Sequence, residues 1–69
     1  MKTRLKELRK LKGFTQIRLQ IESGIDQALL SKYENEERTP TLENLLILAD
    51  IYHVSVDYIL YRTDRPDNS

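Results

Sequence analysis

Four small or hydrogen-bonding side chains lie close together in the segment 27–32: Gln27, Ala28, Ser31 and Lys32. In a helix, at roughly 100° per residue, they would fall within an arc of about 140°. Each can contact the edge of a base pair, because Gln pairs with adenine, Lys donates to guanine, Ser adapts to several bases and Ala meets a thymine methyl group. The other side of the same helix would carry Leu30 and Tyr33. The spacing therefore predicts a helix that is anchored on one side and suited to a DNA groove on the other.

A polar outer face is also what an ordinary solvated amphipathic helix has, so the face alone does not establish DNA binding. The preceding segment favours the DNA interpretation. Residues 16–23 predict a helix of about two turns, Ser23-Gly24 follows it, and Asp26 opens the next helix. Glycine adopts positive φ readily and allows two short helices to meet at a steep angle. Residues 16–35 therefore predict a helix-turn-helix, whose second helix fits the major groove.

Five helices are predicted from the apolar spacing and the capping residues, at about 3–12, 16–23, 27–34, 42–52 and a short stretch after Ser55. Leu5, Leu8 and Leu11 form the apolar stripe of the first helix. The expected N-caps are Thr15, Asp26, Thr41 and Ser55. We therefore expect an all-α fold, a compact five-helix domain over residues 1–62, followed by a flexible C-terminal tail, 63–69.

The net charge is zero, with eleven basic and eleven acidic residues, but the two signs are unevenly distributed. Residues 1–32 contain eight Lys and Arg against three acidic residues, a net charge of +5. Residues 33–69 contain three against eight, a net charge of −5. A chain polarised in this way can present a basic face to phosphate, although ordinary solvated helix faces would give the same counts.

The composition argues against several other classes of protein. Sixty-nine residues leave little room for a substrate cleft, and the sequence has no Ser/His/Asp, Cys/His or phosphate-loop arrangement. With no cysteine and only one histidine, His53, we expect no disulfide and no metal site, and we assign His53 to the C-terminal cap of the fourth helix. The longest apolar run, residues 45–49, is too short to span a membrane, and the first ten residues lack a signal-peptide apolar region. We therefore expect a non-enzymatic protein without cofactors, located in the cytoplasm and associated with the nucleoid.

Three segments occur in order along the chain: LRKLKGFTQ (8–16), SGIDQALLSKYENEERTPTLENLLILA (23–49) and VSVDYIL (54–60). Together they resemble the helix-turn-helix family of the Cro and lambda-type phage repressors, also called the xenobiotic-response-element family, over about residues 4–62. The resemblance implies a lambda-repressor-like domain in which the second and third helices form the DNA-binding unit. It also implies a sequence-specific regulator of transcription that acts as a repressor by occupying an operator on double-stranded DNA.

The resemblance implies roles for particular residues. Gln16 matches the glutamine that clamps a phosphate at the start of the second helix. The positions that read base edges correspond to Gln27, Ala28, Ser31 and Lys32. Asn35 and Arg38 match positions that contact the DNA backbone after the recognition helix, which is the third helix.

Other matching positions are structural. Arg9 and Glu34 resemble the family's ion pair between the first helix and the end of the third. The matching core positions are Leu19, Ile25, Leu30, Tyr33, Leu42, Leu45 and Leu48. The angle of Leu29 leaves open whether it covers the edge of the core or touches DNA. Four residues depart from the family pattern. Gln20 lies where a small residue is usual, which casts doubt on how closely the second and third helices pack. Glu36 lies where glycine or lysine is frequent, so it would weaken the contact with the DNA backbone or strain the turn. Asp26 replaces the commoner serine or threonine cap, and His53 lies where glycine often ends the fourth helix.

The last two helices carry more apolar residues than so small a domain can easily bury. We expect the surplus to form the interface of a symmetric homodimer, at Ile47, Ile51, Tyr58 and Tyr61. Two recognition helices would then meet successive major-groove segments about 34 Å apart, on a near-palindromic site. The alternative is a satisfied core with a few exposed apolar residues.

A second function is compatible with the same residues. The domain could act mainly by binding a protein, as an antitoxin does, and use DNA binding for autoregulation. This alternative predicts that replacing Gln27 and Lys32 by alanine leaves the main activity intact.

Overall fold

The computed structural model describes residues 1–67. Its helices are α1 (Leu5–Leu11), α2 (Gln16–Ser23), α3 (Gln27–Glu34), α4 (Leu42–Tyr52) and α5 (Val56–Ile59), and the described residues contain no strand. The all-α architecture of five helices is confirmed. Helices α2, α3 and α4 have the predicted bounds, whereas α1 is shorter than expected at both ends. Within residues 1–67, no helix is long and apolar enough to cross a membrane.

Side-chain caps fix where four of the helices begin. The predicted N-cap residues accept a hydrogen bond from a backbone N–H two or three residues later, in each case at 3.0 or 3.1 Å, and they are Thr15, Asp26, Thr41 and Ser55. At the other end of α4, His53 adopts the left-handed conformation, with φ 56° and ψ 45°. Its predicted role as the C-terminal cap is confirmed.

All five helices contribute to one core. Its buried apolar residues are Leu5, Leu8, Leu19, Ile25, Leu30, Tyr33, Leu45, Leu48, Ala49, Tyr52 and Ile59. Every core position that the family resemblance implied is among them except Leu42. Leu29 is half-buried and packs against this core, so it covers the core edge.

Two leucines that were expected to face the core are exposed instead. Leu11 is 74% exposed and Leu42 is 66% exposed. The physical reason is the drift of a three-residue repeat, which falls behind a 3.6-residue turn by about 60° per step. Leu11 is two such steps from the buried Leu5. Leu42 is one step before Leu45 at the first position of α4, and it therefore turns away from the core.

Arg4 joins the two ends of the chain. Its Nε donates to the carbonyl oxygen of Tyr58 at 2.8 Å, and its guanidinium carbon lies 4.2 Å from the ring centroid of Tyr58 and 4.1 Å from that of Tyr61. Cation–π stacking on two rings holds the guanidinium in place. Arg4 also donates to the carbonyl oxygen of Thr63 at 3.3 Å.

The predicted tail, 63–69, lies partly outside the described residues, because 68 and 69 are not described. Within its described part, the carbonyl oxygen of Pro66 accepts a hydrogen bond from the backbone N–H of Ser55 at 2.8 Å. The domain boundary at 62 and the flexibility of the tail stay predictions.

Candidate nucleic-acid interface

The turn between α2 and α3 is built on Gly24. Its φ is 75°, a left-handed conformation that costs glycine little and strains any residue with a side chain. The Gly24 N–H closes α2 by donating to the carbonyl oxygen of Gln20 at 2.8 Å. Two residues later Asp26 caps α3. Only three residues separate the end of α2 from the start of α3, and the two helices contact each other, so they form the predicted helix-turn-helix.

The structure places the predicted base-reading residues on the accessible side of α3. Ala28 and Lys32 are exposed, and Gln27 and Ser31 are half-buried. The described residues include no ion-pair partner for Lys32. The ammonium group of Lys32 is therefore available to an acceptor outside the protein.

The opposite side of α3 is firmly anchored. Leu30 and Tyr33 are each only 2% exposed. The buried tyrosine also accepts a hydrogen bond at its hydroxyl from Nδ2 of Asn44, on α4, at 2.8 Å. Because α3 is fixed from behind by packing and by this bond, the direction of its outer face is set by the core.

An ion pair lies beneath the two ends of the helix-turn-helix. Arg9 donates from Nε to Glu34 Oε2 at 2.7 Å and from Nη2 to Oε1 at 3.1 Å. The Glu34 side chain is 4% exposed and that of Arg9 is 14% exposed. The hydrogen bonds to Glu34 raise the pKa of the Arg9 guanidinium above its ordinary value. The expected structural ion pair between α1 and the end of α3 is confirmed.

A chain of hydrogen bonds leads from this ion pair to the outer face of α3. Gln16 donates from Nε2 to Glu34 Oε1 at 3.1 Å, and Gln27 donates from Nε2 to Gln16 Oε1 at 2.6 Å. A carboxylate can only accept, so the amide nitrogen of Gln16 must face Glu34 and its oxygen must face Gln27. The buried charge thereby fixes which way both amides point. The Oε1 atom and the second Nε2 hydrogen of Gln27 remain for an adenine edge, which needs one acceptor and one donor.

The turn after α3 carries the predicted backbone-contacting residues. Asn35 and Arg38 are both exposed. Asn35 donates from Nδ2 to the hydroxyl of Ser31 at 3.4 Å, whereas within residues 1–67 no side-chain hydrogen bond or ion pair joins Arg38 to the other predicted site residues. Between them Glu36 has a φ of 62°, which confirms that the departure from glycine strains this turn.

Sequence reasoning missed the structural role of Gln20. Its unusual size cast doubt on how closely α2 and α3 could approach. Its Oε1 in fact accepts a hydrogen bond from the backbone N–H of Gln27 at 2.6 Å. The side chain therefore joins the two helices. The polar amide in a position between two helices was the signal that could have indicated this.

A helix fixed across a glycine turn, with its apolar side in the core and its polar side accessible, defines a helix-turn-helix domain. The family model described as "Helix-turn-helix" matches residues 5–59, the whole span from α1 to α5. We conclude that the chain belongs to the helix-turn-helix family of the Cro and lambda-type repressors. Members of this family are transcriptional regulators and not enzymes.

Three relatives are similar to most of this chain. The uncharacterised HTH-type transcriptional regulator YobD of Bacillus subtilis (strain 168) is 47% identical over 64 residues, which cover 93% of this chain and 57% of YobD. The HTH-type transcriptional regulator ImmR of the same organism is 42% identical over 57 residues, covering 83% of this chain and 45% of ImmR. The cryptic phage CTXphi transcriptional repressor RstR of Vibrio cholerae serotype O1 is 37% identical over 68 residues, covering 99% of this chain and 61% of RstR.

The chain thus spans between 45% and 61% of the length of these curated relatives. No solved structure matches the chain significantly.

Proposed function

We propose that this protein is a sequence-specific, double-stranded-DNA-binding transcriptional regulator that represses by occupying a near-palindromic operator as a homodimer. The observation that carries the proposal is the accessible outer face of α3, on which the Gln27 amide is held by Gln16 and oriented by the buried Glu34. Such orientation favours specific contacts, because the side chain loses little freedom when it meets a base. The printed names of ImmR and RstR support the class of function. We expect the protein in the cytoplasm, at the nucleoid.

The exposed residues divide into two groups by the contact they offer. On α3, we assign direct base contacts to Gln27, Ala28, Ser31 and Lys32. At the flanks, we assign contacts with the phosphate backbone to Gln16, Asn35 and Arg38. Base contacts discriminate between sequences, whereas phosphate contacts fix the register and supply affinity that falls with salt.

The dimer is proposed from the shape of the domain and from its remaining apolar surface. The longest extent of one copy is 31 Å, so two copies side by side can place their recognition helices about 34 Å apart, one turn of DNA. We place the contact at the four predicted residues. Tyr61 is 43% exposed, and Ile47, Ile51 and Tyr58 are half-buried and pack against the core with part of their surface.

Another flank of α4 provides the control for this interface. Leu46 is 51% exposed, next in sequence to Ile47 but about 100° away around the helix. We expect sedimentation to show a dimer at high micromolar concentration, weakened by Ile47→Ser and retained in Leu46→Ser. Loss of the dimer only in Leu46→Ser would move the interface to the flank of Leu42 and Leu46. A wild-type monomer with and without DNA would end the dimer proposal.

Selection from a random pool of duplexes tests the function directly. The wild type should enrich a consensus of two inverted half-sites about 10 base pairs apart, centre to centre. The matched control is the double variant Gln27→Ala with Lys32→Ala, which removes two base-reading side chains and leaves the proposed phosphate contacts of Asn35 and Arg38 in place. This variant should enrich few duplexes, or duplexes with only a degenerate consensus. Enrichment of the same consensus by both proteins would contradict base reading by α3, and no enrichment by the wild type would contradict sequence-specific binding.

A further inference from the structure

We propose that Gln20 is a positioning residue for base recognition, acting from α2 on the first residue of the recognition helix. The inference rests on the proposed function and names a residue that the resemblance to the family does not assign. Its basis is the 2.6 Å hydrogen bond from the backbone N–H of Gln27 to Gln20 Oε1. This bond is the only one that joins the backbone of α3 to a side chain of α2 within the described residues.

The bond satisfies a donor that a helix normally leaves open. The first four N–H groups of an α-helix have no partner within the helix. Asp26 accepts a hydrogen bond from the N–H of Ala28, the second residue of α3, at 3.1 Å. Gln20, which lies on α2, accepts a hydrogen bond from the N–H of Gln27, the first residue of α3. The start of α3 is therefore capped jointly by its own N-cap residue and by α2.

Gln16 and Gln20 together hold Gln27 at two points. They are four residues apart and hence on the same face of α2. Gln16 binds the Gln27 side chain and Gln20 binds the Gln27 backbone. A side chain held only at its tip can still shift with its helix, whereas a bond to the backbone fixes where that side chain starts. The pair therefore fixes both the position and the direction of the Gln27 amide.

The expected consequence is specific to one base pair. A hydrogen bond to a base edge weakens steeply when its distance or angle changes. Loss of the Gln20 acceptor leaves the N–H of Gln27 without its partner and lets the start of α3 move. Lys32 lies more than one turn further along α3, in a part of the helix that Leu30 and Tyr33 fix to the core, so its base contact should be unaffected.

The test compares Gln20→Met, which has a similar length but no strong acceptor, with Gln20→Glu, which keeps an acceptor oxygen. Binding is measured by mobility shift at fixed salt, well below the thermal midpoints, on the wild-type consensus and on each single base-pair variant of it. We expect Gln20→Met to lose about three- to tenfold affinity for the consensus. It should also lose discrimination at the base pair read by Gln27, and nowhere else. Gln20→Glu should restore that discrimination, even if its added charge weakens binding to every duplex alike.

A second comparison separates positioning from a general loss of structure. In a Gln27→Ala background, Gln20→Met should cause no further change in base preference, because no side chain remains to be positioned. If Gln20→Met does not fold, Gln20→Ala serves in both backgrounds. Unchanged discrimination by Gln20→Met (or by Gln20→Ala in its place), or an equal loss at every base pair, would overturn the inference while the proposed function stands. A wild type that discriminates between no duplexes would overturn the proposed function and the inference together.

Discussion

Replacing Glu36 by glycine should make the protein more stable. Glu36 follows the C-cap residue of α3 and has a φ of 62°. Its N–H donates to the carbonyl oxygen of Tyr33 at 3.2 Å, and the N–H of Glu37 donates to that of Lys32 at 2.9 Å. These two bonds are those of a Schellman motif, whose left-handed position glycine normally occupies. The backbone therefore has the geometry of a glycine cap with a glutamate in it.

The size of the effect follows from two opposing contributions. A left-handed conformation costs a residue with a side chain roughly 1–2 kcal/mol. Glycine lowers the free energy of unfolding by roughly 0.5–1 kcal/mol, because a chain with glycine is more flexible when unfolded. The net gain in the free energy of unfolding should be roughly 0.5–1 kcal/mol, which for a domain of this size raises the Tm by roughly 2–8 °C. Removing a negative charge beside the proposed phosphate contacts should also strengthen DNA binding at low salt.

Two controls separate the backbone effect from the charge effect. Glu36→Gln keeps the strained side chain and removes the charge, so it should strengthen DNA binding with little change in Tm. Glu37→Gly places glycine at a residue whose φ is not positive, so it should lower stability by roughly 0.5–1 kcal/mol. Thermal unfolding followed by circular dichroism gives the Tm of each of the three variants. A Tm for Glu36→Gly at or below that of the wild type, or equal to that of Glu36→Gln, would refute the reasoning.

Further predictions concern individual side chains. Lys32→Ala should cost roughly 1–3 kcal/mol on the selected duplex and relax one base position, while Arg38→Ala weakens all duplexes about equally; equal binding by Lys32→Ala and wild type in a mobility shift would refute the first role. Tyr52→Phe removes a buried hydroxyl that has no hydrogen-bond partner within residues 1–67, so urea unfolding should show stability unchanged or raised by roughly 1 kcal/mol. Burial raises the pKa of Tyr52 above its ordinary value of 10.0. The phenol therefore ionises first in the unfolded protein, and wild-type stability should fall as the pH rises past about 10. Tyr52→Phe should remove that part of the fall. Arg4→Lys keeps the charge but loses planar stacking on Tyr58 and Tyr61, and should cost roughly 1–2 kcal/mol in thermal unfolding, against no loss for the exposed Arg62→Lys.

The fold was predictable because the residues that begin and end its helices act locally. Thr15, Asp26, Thr41 and Ser55 cap helices through bonds to their immediate neighbours, and Gly24 supplies a conformation that other residues avoid. Such signals depend on a few adjacent residues, so the bounds of α2, α3 and α4 could be predicted from the sequence. The ends of α1 and the exposure of its last leucine depend on packing against other elements, and there the predictions were wrong.

The contacts within the site were harder to predict because they join distant parts of the chain. The positions on the outer face of α3 follow from helical spacing, and the ion pair of Arg9 with Glu34 followed from family resemblance. The path from Glu34 through Gln16 to Gln27 depends on how three helices meet. The bond from Gln27 to Gln20 does as well. Helical spacing gives the face a residue occupies but not which donor lies opposite its acceptor.

The central claim is that the outer face of α3 enters a DNA groove, with α2 holding it in place. Titration of the isotope-labelled protein with its selected duplex, followed by amide and side-chain NMR signals, tests this most directly. We predict the largest shifts and intermolecular contacts at the side-chain amides of Gln16 and Gln27 and at Ala28 and Lys32, with little change at Asp50 near the end of α4. Large changes around α4 and α5 together with unchanged signals along α3 would contradict the claim.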